Sequence, residues 1–258
     1  MERKSAWDKI SDKKIVFKFC DDYIKYLDEG KTERLCVEYS KKLAEENGFV
    51  NIDTVDKLES GMKVYKINRA KNIVLSVIGS EDIEKGFNLV AAHIDSPRLD
   101  LKQIPLYEDS NMAMFKTHYY GGIKKYQWTA IPLSLIGVVV LQDGTVINVN
   151  IGEDESDPIF TISDLLPHLA QDQMTQTLAK AFTGEDLNII AGSIPSDCEK
   201  DKYKETIMNI LKEKYSITEE DFISSELEMV PTFKARNLGL DSSMIAAYGH
   251  DDRVCAYT

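Results

Sequence analysis

Histidine is scarce in this chain of 258 residues. There are four, His93, His118, His168 and His250, so any histidine-based centre within the chain must draw on those positions. Cysteine is equally sparse. Cys20, Cys36, Cys198 and Cys255 lie far apart and form no C-x-x-C pair, and a disulfide framework belongs to small secreted chains, which this is not. Long hydrophobic runs are missing too. The longest apolar stretch, Ala130 to Leu141, is broken by Pro132, Ser134 and Gly137 and is too short to span a bilayer. The opening MERKSAWDKISDKK has no apolar core of targeting type. Positive charge is outnumbered, with 31 Lys and Arg against 43 Asp and Glu and a net charge of -12. That field attracts neither nucleic acid nor an anionic membrane. Together these absences predict a reduced, cytoplasmic protein with no nucleic-acid or membrane partner.

What is present is a globular balance, 43% hydrophobic and 29% charged, enough apolar material for a core in one or two domains. Ile15, Phe19, Tyr23 and Leu27 recur at helical spacing before Gly30, and a second helix runs to about Asn47 with Gly48 just past its end. From Met62 the pattern becomes that of strands, with a short turn at residues 69–72 and a branched run from Ile73 to Ile78. The run Leu89-Val90-Ala91-Ala92 predicts a strand buried on both faces of a sheet. Further strands are expected over 133–142 and 145–152 around an Asp143-Gly144 turn, and at 229–234 and 244–248. A helix is expected over 200–214, and Thr218 is placed to cap a short one through its spacing to Asp221.

Two motifs carry chemistry. The first is His93-Ile94-Asp95-Ser96-Pro97. Period-two alternation puts His93 and Asp95 on one face, where a carboxylate can hold the second ring nitrogen of a metal-binding imidazole. The second is Gly249-His250-Asp251-Asp252-Arg253, delivered by the apolar run 244–248. An aspartate there can bridge two cations through its two oxygens. Taken singly, the first reads as a polar strand end with a hydrogen-bonded histidine. The second reads as a turn entering a helix, with Asp252 favoured at its N-terminus. On strand alternation His250 should face away from Asp251. Cys255 reads as a helix-packing residue and His118 as structural.

Together, Ala92-His93-Ile94-Asp95-Ser96-Pro97 and Asp251-Asp252-Arg253 resemble the aspartyl aminopeptidase and aminopeptidase I family of dinuclear zinc peptidases. The hairpin before His93, Tyr120-Gly121-Gly122 followed by Trp128, and the stretch from Asp164 to Ala170 are similar as well. The resemblance implies an α/β fold: a mixed-sheet zinc-peptidase catalytic domain, incomplete here, with a β-rich inserted oligomerisation domain. The expected division is 1–104 and 236–258 for the catalytic part and 105–235 for the insertion. It implies two Zn2+ per subunit, with His93 binding one ion, Asp251 bridging both, and Asp95 orienting His93; other divalent ions are alternatives. It implies peptide substrates cut one residue at a time from the N-terminus, acidic residues among them, and a homo-oligomer, a dodecamer built from dimers.

The family's later pattern, a Glu-Glu pair, an aspartate and a final histidine, has no match before Thr258, since Glu45-Glu46 and Glu219-Glu220 both precede Asp251. The general-base glutamate is therefore expected beyond Thr258. The position of a family histidine that reaches a neighbouring subunit is Asp172 here, with His168 out of register, and Trp128 is followed by Thr129-Ala130-Ile131 in place of the family's x-Asp-Arg. Two alternatives accompany the aminopeptidase reading: a non-catalytic or truncated assembly subunit of the same fold, and a related two-metal amide hydrolase.

Overall fold

The computed structural model describes residues 4–258. In chain order the elements are α1 (Lys13–Glu29), α2 (Glu33–Glu46), β1 (Val50–Asn51), β2 (Lys63–Asn68), β3 (Asn72–Val77), β4 (Arg98–Asp109), β5 (Met112–Tyr120), β6 (Leu133–Val140), β7 (Val146–Ile151), α3 (Gln171–Met174), α4 (Leu178–Ala181), β8 (Ile189–Gly192), α5 (Lys202–Tyr215), β9 (Ser225–Pro231), β10 (Arg236–Leu238), β11 (Met244–Ala246) and α6 (His250–Tyr257). The chain divides into two compact units. One is Met1–Ser96 with Lys234–Thr258, and the other is Pro97–Phe233.

The first unit is helical at its centre. Asp12 caps α1 by accepting from the Lys14 amide, and Thr32 caps α2 by accepting from the Leu35 amide, each satisfying a donor that the first helical turn leaves open. Gly30 ends α1. The inward faces of both helices build a core of Tyr23, Tyr26, Leu27, Cys36 and Ala235, against which Ile94, Ile245, Val254 and Tyr257 pack. The predicted hairpin is β2–β3, antiparallel from Lys63↔Val77 to Asn68↔Asn72, with Arg69 and Ala70 left-handed at its tip. β1 adds in parallel to β2, and β10 pairs with β11 as a separate ribbon.

The second unit is a six-stranded sheet in the order β7-β6-β9-β4-β5-β8, and each of its pairings is antiparallel. Leu99, Phe115, Leu133, Leu135, Val139, Ile189 and Met229 are buried along it. The Asp143-Gly144 turn joins β6 to β7, with the Asp143 carboxylate accepting from the Thr145 amide at 2.8 Å. Asp221 accepts from both the amide and the hydroxyl of Thr218, at 2.8 and 2.7 Å, so the Thr–Asp pair forms, but Thr218 is not the expected cap: the short 3-10 turn over 220–224 starts from Glu219 with no side-chain capping bond. Arg98, the first residue of β4, is buried between Asp100 at 2.7 Å and Glu228 at 3.3 Å and lies 4.2 Å from the centre of the Tyr120 ring. Gly121 follows with φ +77, and a Cβ there would meet Pro97 at 3.3 Å. The Tyr-Gly-Gly run is therefore a packing device against the start of β4.

Three further expectations change. Residues 87–97 form no strand, and Leu89 and Val90 are 75% and 93% exposed rather than buried. A fully buried strand needs paired neighbours and a cover on both faces, and no strand of the described residues pairs with this run. His250 opens α6 instead of continuing β11, so helical geometry decides its direction. Cys255 is exposed on α6 rather than packed.

Candidate metal centre

The His-Ile-Asp-Ser-Pro motif lies outside any helix or strand, and Ile94 within it packs against the helical core. The His93 side chain is exposed and that of Asp95 is partly so. His93 Nδ1 lies 3.1 Å from the Asp95 carboxylate and 3.2 Å from the Asp95 carbonyl oxygen. With Nδ1 so engaged, Nε2 is the nitrogen left to face a ligand, and the His93 side chain is 62% exposed. Ser96 is buried at the end of the segment.

The second motif enters through Gly249, whose φ of +68 precedes the first residue of α6. Asp251 and Asp252 occupy the first turn, where the helix dipole favours negative charge, and Asp251 is exposed. His250 turns the other way. Its Nδ1 is 3.0 Å from the Tyr23 hydroxyl, which also donates to the His250 carbonyl at 3.2 Å. His250 is thus tied to α1.

Arg253 stands in the second motif, but the sequence assigned it no role of its own. It is fully buried. Its Nε donates to the Ile94 carbonyl at 3.2 Å and its Nη2 to the Lys31 carbonyl at 2.8 Å. The guanidinium lies 5.4 Å from the centre of the Tyr248 ring. The helix that carries Asp251 is in this way bonded to the peptide between His93 and Asp95. The signal available in the sequence was the arginine two positions after the aspartate together with the glycine two before it.

The donor chemistry suits zinc, an imidazole held by a carboxylate and an accessible aspartate. Among the described residues no three His, Cys, Asp or Glu side chains gather into a metal-holding group. His93 and Asp251 are two candidate donors, fewer than the three or four protein ligands that a zinc site takes. His118 lies on β5 with its ring stacked on Tyr119 at 5.6 Å, and His168 and Asp172 are exposed in the second unit. No helix among the described residues is long and apolar enough to cross a membrane.

The fold and the two motifs define a metallopeptidase-type α/β chain with an inserted β-rich unit. The family profile of the Aminopeptidase I zinc metalloproteases (M18) matches residues 26–258, and the chain belongs to that family. A Clostridium acetobutylicum protein described as a probable M18 family aminopeptidase 1 is 52% identical over 265 residues, covering 100% of this chain and 57% of the relative. The crystal structure of an M18 family aminopeptidase from Thermotoga maritima superposes with a TM-score of 0.94 at 48% identity, covering 100% of this chain and 56% of that one. The mixed α/β architecture of this chain is that of these structures. At the level of fold alone, the S. cerevisiae mApe1 dodecamer matches with a TM-score of 0.62 at 16% identity, over 87% of this chain and 50% of that one. The chain spans somewhat more than half the length of the relatives it matches.

Proposed function

We propose that these residues form part of a zinc aminopeptidase that releases single residues from peptide N-termini, acidic ones among them. The observation that carries this reading is the His93–Asp95 pair, an imidazole whose Nδ1 is held at 3.1 Å by a carboxylate so that Nε2 can serve as a ligand. In the proposal His93 would hold one zinc ion and Asp251 would be shared between it and a second. Asp95 fixes the ring's tautomer and raises its basicity. Two side chains are fewer than the three or four protein ligands that zinc takes, so the reading draws the remaining ligands, and a general-base glutamate, from outside these 258 residues.

Zinc, when bound, supplies Lewis-acid polarisation and brings the pKa of water to about 7. The chain's own contribution is positional. Asp95 keeps the His93 ring aimed outward, α6 presents Asp251 from its first turn, and the packing of Ile94 on the helical core holds the His-Ile-Asp segment in place.

We further assign the second unit to subunit assembly, with a dodecamer built from dimers as the expected form. Its exposed apolar residues Leu165, Leu166, Leu169 and Met174 supply a surface of the kind that association buries. A cytoplasmic location fits four cysteines with no framework spacing. The test is zinc content and aminopeptidase rate of the natural full-length protein beside its His93→Ala and Asp251→Asn variants. Loss of bound zinc and of turnover in both is expected. Variants that keep both would remove these residues from the site, and an unaltered protein that binds zinc without cleaving peptides would leave the non-catalytic assembly subunit.

A further inference from the structure

Arg253 is a fully buried cation whose best-defined bonds go to main-chain carbonyls. Taking a guanidinium out of water costs several kcal/mol unless its donors find acceptors. Its placement in the fold explains which acceptors they are. Asp251 and Arg253 are two residues apart on α6, so they project from the helix about 200° apart. The aspartate faces outward and the arginine faces the core. From there Nε reaches the Ile94 carbonyl, the peptide oxygen between His93 and Asp95, while Nη2 reaches Lys31 in the link between α1 and α2.

Gly249 makes room for this arrangement. A Cβ on it would overlap Arg253 Nη1 and would come within 2.8 Å of Ser96 Oγ. Ser96 is itself buried, so the glycine, the arginine and the end of the His-Ile-Asp-Ser segment share one close-packed point.

We propose that Arg253 is a positioning residue that fixes the separation and orientation of His93 relative to Asp251. This rests on the reading of those two side chains as ligands. One planar fork grips the peptide of one motif while its own helix carries the other motif. A shift of the guanidinium therefore moves the two ligands relative to each other. Lysine keeps the charge but is a single point donor and cannot span both carbonyls with the arginine's geometry.

The experiment compares Arg253→Lys with the unaltered full-length protein, using zinc affinity by chelator competition and the visible absorption spectrum after cobalt substitution. The melting temperature of the metal-free protein serves as the control for fold. The expected result is metal affinity weakened about 10–100-fold, as for other groups that orient ligands. An altered cobalt spectrum should accompany it, with the metal-free melting temperature little changed. Parent-like affinity and spectrum in Arg253→Lys would overturn the proposal. Because His93→Ala and Asp251→Asn report separately on the ligands, parent-like Arg253→Lys beside metal-free ligand variants would refute this inference alone. Should Arg253→Lys not fold, amide hydrogen exchange on the unaltered protein carries the test. Zinc should then protect residues 92–97 and 250–254 together, and protection of one segment without the other would overturn the coupling.

Discussion

The two units solve the problem of burial differently. The Pro97–Phe233 unit closes a continuous six-stranded sheet in which Leu99, Leu133, Val139, Ile189 and Met229 have no exposed surface. Its buried arginine, Arg98, sits between two carboxylates. The unit that carries both motifs has one three-stranded and one two-stranded sheet, and Phe87, Leu89 and Val90 lie open in a run without helix or strand. Its buried arginine, Arg253, holds backbone carbonyls instead. The contrast separates two tasks. The sheet unit puts its apolar side chains into packing, while the motif unit spends buried polar bonds on fixing short segments that bear chemistry.

Leu135→Ala should give the largest effect on stability. Leu135 is 2% exposed at the centre of β6, and truncating a buried leucine typically costs about 2–5 kcal/mol. Urea unfolding should show that loss, and a change under about 1 kcal/mol would mean that the sheet core collapses around the gap. Asp95→Asn should act on chemistry instead. Metal affinity or activity of the full-length protein is expected to fall about 10–100-fold, with the midpoint of unfolding nearly unchanged. Unchanged zinc content and turnover would take Asp95 out of the site and weaken the contrast between the units.

The smallest effect is a pH dependence that Tyr23 brings to the motif unit. Burial pushes the Tyr23 hydroxyl up to about 12, with the Arg253 guanidinium pulling the other way, and burial pushes Tyr26 up as well. A tyrosine in the unfolded chain titrates near 10. The folded state holds the proton more firmly, so this contribution is complete below about pH 10 and is lost as pH rises toward 12. Melting temperatures measured across that window should fall, and Tyr23→Phe should fall less steeply. An equal slope in both proteins would show that Tyr23 is not the group responsible.

Periodicity made much of the fold legible. Helix spacing placed α1 and α2, and the turns at residues 69–72 and at Asp143-Gly144 placed two hairpins, because these features arise from contacts within a few residues. The run Leu89–Ala92 misled for the opposite reason. Its composition describes a strand that has neighbours, and neighbours are a property of the sheet rather than of the run itself. The site divides in the same way. The spacing in His93-Ile94-Asp95 was enough to foresee a carboxylate beside the imidazole, although no strand forms there.

The sequence by itself determined the residue types available for metal binding, the local turns and caps, and the family to which the chain belongs. All of these are written in short windows or in matched motifs. Only the tertiary structure decided that His250 turns to Tyr23 and that Arg253, rather than any residue near His93 in sequence, grips the Ile94 carbonyl. A hydrogen bond spanning 159 residues leaves no periodicity to read. It exists because packing α6 against the helical core brings a buried guanidinium, which must find acceptors, to the carbonyl of Ile94, the residue between His93 and Asp95.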